Sequence, residues 1–240
     1  SGRSIKMSFI PPPSAIREII SAATGKTLNL AIGDPALPAP TPLIEYVREH
    51  ISSWALGYTA NAGMNRVRSA IADRFYPGVQ HSQICITAGA QEALYASCYT
   101  ILSAGSEVLI PNPGFLAYEN LVKMCGGKPV FYNAPRSEAE SLDIEFLRQK
   151  CSRNTRAIII NSPANPTGYV YSPSELTALA NLAAENGLTI ISDEVYSGLF
   201  YETSPPDSIY NYTQNAILIS SLSKFAGMTG WRIGWAVCPS

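Results

Sequence analysis

An α/β fold, a mostly parallel sheet flanked by helices, is the class this sequence predicts, and three observations carry it. Short, near-continuous apolar runs such as Arg156-Ala-Ile-Ile-Ile160 and Ala216-Ile-Leu-Ile219 read as strands buried on both faces, as parallel strands are. Amphipathic stretches of helical period alternate with them. Polar residues suited to chemistry fall just after several of the runs, and open α/β sheets gather ligands beyond their carboxyl strand ends.

The elements follow in order. Residues 13–25 read as a helix, with Ser14 placed to cap its start and Gly25 its end. A short strand over 28–32 runs into Gly33-Asp-Pro-Ala-Leu-Pro-Ala-Pro40, whose prolines force an irregular, extended loop. Thr41 is read as the cap of a helix reaching about Trp54, with Leu43, Val47 and Ile51 on one face. The loop Gly57-Tyr-Thr-Ala-Asn-Ala-Gly63 precedes a helix that ends at Phe75. Gln83-Ile-Cys-Ile-Thr87 is a strand meeting Ala88-Gly-Ala-Gln-Glu-Ala-Leu94, a glycine-bearing entry to a helix. Such a junction either aims free backbone N–H groups at an anion or is a plain turn. Glu107–Ile110 is a strand, Pro111–Phe115 a rigid turn presenting a ring, 117–125 a helix and 129–132 a strand. The pattern repeats with helix Leu142–Cys151, strand 156–160 stopping at Asn161-Ser-Pro-Ala-Asn-Pro-Thr-Gly168, and helix Pro173–Asn186 capped by Ser172. Strand Gly187–Ser192 ends in Asp193-Glu-Val-Tyr196, and strand 216–219 leads to Ser221, Lys224 and Arg232. Trp235–Cys238 closes the chain as an edge strand.

Composition narrows the partners. The 240 residues are 46% hydrophobic and 15% charged, enough for one large domain or two small ones with a substantial core. Lys+Arg 17 against Asp+Glu 18 gives a net charge of -1, which offers no broad field for nucleic acid or an anionic membrane. No apolar run approaches a membrane span, and the N-terminus lacks a basic-then-apolar signal pattern. Residues 1–6 read equally as a cloning scar or a native arm. The five cysteines are widely spaced and never form Cys-x-x-Cys, so they read as buried free thiols in a reducing compartment, the cytoplasm. His50 and His81 have no partner at metal-ligand or triad spacing and read as structural, so no metal site is expected.

The chemistry rests on a constellation. Lys224 follows a strand end among small and apolar residues, where desolvation favours its neutral amine. Ser221 and Arg232 flank it with a hydroxyl and a guanidinium fork suited to a phosphate monoester. An amine that captures an aldehyde, beside groups that hold a phosphate, describes pyridoxal 5'-phosphate. Asp193, after a buried strand, is read either as the partner that keeps a pyridine nitrogen protonated or as a plain N-cap before Glu194. Tyr196 and Asn165 offer hydrogen bonds to a phenolate oxygen, and Phe115 a flat face for stacking.

Asn165-Pro-Thr-Gly168, Ser192-Asp-Glu-Val-Tyr196 and Ser221-x-Ser-Lys224 with Gly230-Trp-Arg232 resemble the class I/II aminotransferases, fold-type I pyridoxal phosphate enzymes of the aspartate aminotransferase superfamily. Gly33-Asp-Pro35, Gly57-Tyr58 with Gly63, and Gly89-Ala-Gln-Glu-Ala93 match in order and context. The resemblance runs from about Ser8 to the end, and several linked motifs are far more specific than one. It implies that Lys224 forms the internal aldimine and later moves the proton between substrate Cα and cofactor C4′. It implies that Asp193 pairs with the pyridine nitrogen, and that Asn165 and Tyr196 bind the 3′ oxygen. Phosphate is then held by Ser221, Arg232 and the backbone of Gly89, Ala90 and Gln91, with Tyr58 reaching it from a partner subunit in a homodimer. Gly33 and Asn165 face the substrate, an amino acid or a 2-oxo acid. By the same resemblance, residues 1–32 are an N-terminal arm with part of a small domain, and 33–240 are the cofactor-binding large domain. The family's C-terminal small domain, with the arginine that clamps the substrate carboxylate, is missing from these residues, as in a fragment or a partial record.

Other outcomes on this scaffold stay open. A lyase of the carbon–sulfur or ring-closing type would use the same cofactor residues, although Gly227-Met-Thr-Gly-Trp-Arg232 is more similar to transaminases. A non-catalytic cofactor-binding sensor domain is the third reading, and no basic helix-turn-helix precedes residue 14 to support it.

Overall fold

The structure, a computed structural model, describes residues 10–12, 15–25, 28, 32–35, 38–54, 57–201 and 203–239. Helix α1 is Ala15–Ser21, shorter than expected, while the cap at Ser14 and most of the strand at 28–32 lie outside the described residues. Helix α2 is Thr41–His50. Thr41 is its first residue and not its cap: Pro40 holds the cap position without a side-chain hydrogen bond. A 3₁₀ turn, Ile51–Ser53, then tightens the winding. The change of pitch carries Ile51 off the face shared by the half-buried Leu43 and Val47, leaving it 48% exposed.

Helix α3 (Asn65–Phe75) leads to strand β1 (Ile84–Thr87) and helix α4 (Ala90–Ile101). Strand β2 (Glu107–Asn112), helix α5 (Ala117–Met124), strand β3 (Lys128–Asn133) and helix α6 (Ile144–Lys150) follow. The chain continues through β4 (Thr155–Asn161), α7 (Pro173–Asn186), β5 (Thr189–Asp193), β6 (Ala216–Ser221) and β7 (Gly234–Val237). The limits of α7 are those its sequence predicts. Ser172 Oγ accepts from the Glu175 N–H at 3.3 Å, Glu175 Oε2 accepts from the Ser172 N–H at 2.8 Å, and Gly187 ends the helix at φ 62°.

The strands form one sheet in the order β1-β7-β6-β5-β4-β2-β3. All pairs are parallel except the two made by β7, which runs antiparallel to both β1 and β6. The expected edge strand is therefore interior, and its four residues are all buried. Apolar character announces that a strand is buried but not which neighbours bury it.

Side chains alternate across the sheet and build two cores. On one face Val108, Ile110, Ile159 and Ile191 pack with Leu94 and Cys98 of α4 and Tyr118, Leu121 and Val122 of α5. On the other Leu109, Ile158, Ile160, Ile190 and Trp235 pack with α3, α6 and α7. The antiparallel β6–β7 pair matters most for the site. Ser221 stands opposite Gly234, so the excursion over 222–233 leaves and re-enters the sheet at the same place, closed by Leu222 N–H to Ile233 O at 3.1 Å. That excursion carries Lys224 and Arg232.

Candidate active site

A cleft of about 930 Å³ opens at the carboxyl ends of β4, β5 and β6. Nine of the residues nominated from the sequence line it: Ala90, Gln91, Phe115, Asn165, Asp193, Tyr196, Ser221, Lys224 and Arg232, and Gly33 joins them from the N-terminal side. Tyr58 does not line it and is fully exposed.

The amine stands at the mouth. Lys224 Nζ donates to Gly33 O at 2.5 Å and lies 5.7 Å from the Tyr196 ring centroid. Burial pulls the Lys224 pKa below the ordinary lysine value, against the opposing influence of the Asp34 and Asp193 carboxylates. Thr229 Oγ1, on the same excursion, donates to Asp34 Oδ1 at 2.7 Å, a second tie between this loop and the segment at 33–34.

Asp193 forms the floor. It is the last residue of β5 and 4% exposed, and no helix follows it, so the N-cap reading is set aside. Tyr118 Oη donates to its Oδ2 at 2.8 Å and the Val195 N–H to its Oδ1 at 3.4 Å. Burial pushes its pKa up to about 6, while Tyr118, Val195 and Lys224 act in the opposite direction. Its backbone is pinned too, because Asn161 Nδ2 and the Ser162 N–H both donate to Asp193 O. Asn161 Oδ1 meanwhile accepts from the Asn165 N–H at 2.6 Å. Asn161 therefore locks the end of β5 to the Asn165 turn. Asn165 Nδ2 in turn reaches Tyr196 Oη at 3.5 Å, and burial raises the Tyr196 pKa with Asp193 adding to the effect.

The guanidinium lies where β1, β7 and α4 meet. Arg232 sits at φ 55°, with Nη1 donating to Thr229 O and Nη2 to Ala88 O. Gly89 precedes α4 at φ 85°, ψ 168°, a region only glycine readily occupies, and a Cβ there would overlap the Arg232 guanidinium. Gly89 does not itself line the cleft; its lack of a side chain admits Arg232. A Cβ at Gly234 would likewise strike the Gly89–Ala90 peptide. First-turn N–H groups of a helix have no partner within it, so Ala90 and Gln91 bring donors to the same end as Arg232 and Ser221.

Sequence reasoning missed several contributors. Asn161 gave the same local signal as Asp193, a polar residue ending an apolar strand. Tyr118 gave none, since only the packing of α5 sets its hydroxyl against Asp193. Arg17, Ile16, Asp34, Ser223 and Thr229 also line the cleft.

A sequence model of the family described as "Aminotransferase class I and II" matches residues 25–240. The chain belongs to this family. Among its relatives, the probable aspartate aminotransferase of Methanocaldococcus jannaschii is 38% identical over 227 residues, 93% of this chain and 60% of that protein. Aromatic-amino-acid aminotransferase 2 of Thermococcus litoralis is 34% identical, over 95% of this chain and 61% of that one. Among solved structures, aspartate aminotransferase from Thermus thermophilus with maleate superimposes with a TM-score of 0.82 at 32% identity, covering 88% of this chain and 56% of that one. The chain thus spans about 60% of the length of the curated aminotransferases it matches.

Proposed function

We propose that this chain is the cofactor-holding part of a pyridoxal 5'-phosphate-dependent aminotransferase that moves an amino group between an amino acid and a 2-oxo acid. One observation carries the reading: a single cleft collects a depressed-pKa amine, a buried carboxylate and an anion cradle. The residues fit the cofactor, because an ionised Asp193 on the floor demands a cation that a protonated ring nitrogen supplies. When bound, pyridoxal 5'-phosphate contributes an aldehyde for amine capture and a ring that accepts electrons from the substrate's Cα.

Ser221, Arg232 and the N–H groups of Ala90 and Gln91 hold its phosphate, with Gly89 giving Arg232 room. Phe115 offers the stacking face, and Asn165 with Tyr196 donates to its phenolic oxygen. Lys224 Nζ, neutral in a larger share than a solvated lysine, would hold the cofactor through its aldehyde carbon and, once the substrate's amine has replaced it there, would be free to take the proton from substrate Cα. Gly33 and Asn165 border the substrate side. Residues 33–240 are assigned to the large domain and residues 1–32 to an N-terminal arm and part of a small domain; of the latter, Ile16, Arg17 and Ile32 line the cleft. The exposed Tyr58 is assigned to the phosphate of a second copy, making the active unit a homodimer. All five cysteines are free thiols, although only Cys98 is fully buried, which suits a cytoplasmic setting. Among the described residues no helix is long and apolar enough to cross a membrane.

Borohydride treatment of protein loaded with the cofactor, followed by peptide mass spectrometry, is expected to place the reduced adduct on Lys224. An adduct on another lysine would overturn the assignment. With the full-length protein, an amino acid is expected to yield its 2-oxo acid with stoichiometric transfer of nitrogen. Release of ammonia and pyruvate would instead indicate a lyase.

A further inference from the structure

Glu194 follows Asp193 in sequence but points to the other side of the sheet, where the aminotransferase reaction makes no use of it. It is 5% exposed and borders a second cavity of about 520 Å³. Ser220 and Trp235 border that cavity too, while their neighbour Ser221 faces the first cleft, as strand alternation requires. The two spaces therefore lie on opposite faces of the same strand ends.

The carboxylate is half satisfied. Ser192 Oγ at 2.9 Å, Ser208 Oγ at 3.1 Å and the Ile209 N–H at 3.3 Å all donate to Oε1. Oε2 accepts from none of the described residues. It is not sealed off either, since among them only Arg68 Nε is both buried and without a partner. Glu194 itself lines the cavity.

The walls are aromatic: Phe75, Tyr76, Phe200, Tyr210, Phe225 and Trp235. They are fixed by one another. Phe75 stacks on Trp235 at 5.5 Å and meets Phe225 edge-on at 5.8 Å, and Trp235 Nε1 donates to Tyr76 Oη at 3.0 Å. Gly198 backs against Phe225, where a Cβ would come within 2.8 Å. Around them stand Arg74, Asp207 and Glu194, one positive charge against two acidic groups. No ion pair joins Arg74 to either acid among the described residues.

We infer that this second cavity is a binding site for a small organic ammonium ion, its charge on Glu194 Oε2 and its apolar body against the aromatic walls. A buried acceptor at the end of an aromatic-lined space is matched by a cation that also presents carbon surface. A hard metal ion is a poor match, since it asks for six or more oxygen ligands, and the two carboxylates that line this space, Glu194 and Asp207, supply too few. The volume lies within the range of small-molecule sites.

The test is calorimetric titration of the purified chain with benzyltrimethylammonium chloride, which cannot condense with an aldehyde, and with benzyl alcohol as the uncharged control. The cation is expected to saturate one site per chain and the alcohol to bind at least tenfold more weakly. Glu194→Gln is expected to weaken the cation at least tenfold. Equal binding of the two probes, no binding of either, or undiminished cation binding by Glu194→Gln each overturns the inference. Should Glu194→Gln fail to fold, Phe225→Leu and Phe200→Leu are expected to lower cation affinity several-fold, and unchanged affinity overturns the site. Loading with pyridoxal 5'-phosphate first is expected to leave cation binding in place. Competition between the two would move the cation to Asp193 and overturn the assignment.

Discussion

Asp193 and Glu194 are consecutive acids at the end of one strand, and they serve different spaces. Asp193 turns to a cleft that holds an amine, a guanidinium and helix N–H groups. Glu194 turns to a cavity of rings and serines. Burial is the leading cause of the raised pKa in both, to about 6 for Asp193 and about 7 for Glu194. What separates them is the company each face supplies. A carboxylate's chemistry is set by which side of the sheet it occupies more than by its place in the chain.

Replacing Asp193 by Asn should produce the largest contrast. If Asp193 anchors a cationic ring nitrogen, its loss removes a buried charge pair of about 2–5 kcal/mol. Equilibrium dialysis of pyridoxal 5'-phosphate is expected to show weakening of about thirtyfold or more, and well beyond that in Glu194→Gln. Equal losses in the two variants would mean that the two carboxylates do not serve different spaces.

The pH dependence of stability separates the two acids next. Each has a folded-state pKa above its unfolded value, so the folded state holds more protons between about pH 4 and 7. Stability from this source is therefore greatest below about pH 4 and is lost as pH rises through about 7. Each group accounts for about 3 kcal/mol of that loss. Urea unfolding of the cofactor-free protein at pH 4 and pH 8 measures it. Glu194→Gln is expected to remove its share whether or not cofactor is bound. The share of Asp193 is expected to vanish on loading, when a cation arrives beside it.

Tyr118→Phe probes how Asp193 is held. The tyrosine hydroxyl stabilises the ionised carboxyl, so its removal should raise the Asp193 pKa further and weaken cofactor binding by about 1.5–3 kcal/mol. The loss of stability with rising pH should then be larger and continue to higher pH. A profile unmoved from wild type would show that Tyr118 only fills space. Gly89→Ala is expected to cost about 1–3 kcal/mol of stability through its backbone region alone. Because the added methyl displaces Arg232, inorganic phosphate should also lose affinity for the first cleft while the second cavity keeps its cation.

Much of this was legible locally. Helix α7 could be bounded to the residue, because Ser172, Glu175 and Gly187 are capping signals that act within a few positions. The apolar strands β4, β5 and β6 were equally plain, and each ended at a residue that enters the cleft or supports it. Thr41 misled for an equally local reason, since Pro40 already supplies the helix start and needs no side-chain cap. Trp235 misled for a non-local one: four apolar residues look the same at the edge of a sheet and between two partners. Tyr118 and the second cavity had no local signal. They depend on α5, packed over β2 and β3, sending Tyr118 to the end of β5, and on α3 meeting Gly198, Phe200 and Tyr210 across the opposite face.

The sequence by itself determined the class of fold, the family motifs and the residue types that can hold a phosphorylated aldehyde, because these follow from periodicity and side-chain chemistry along the chain. Only the tertiary structure decided that β7 inserts antiparallel between β1 and β6. That insertion folds 222–233 back so that Lys224 and Arg232 meet Ser221 and α4. It also decided that Asp193 and Glu194 face opposite ways into different cavities, because strand order and layer packing are properties of residues far apart in the chain.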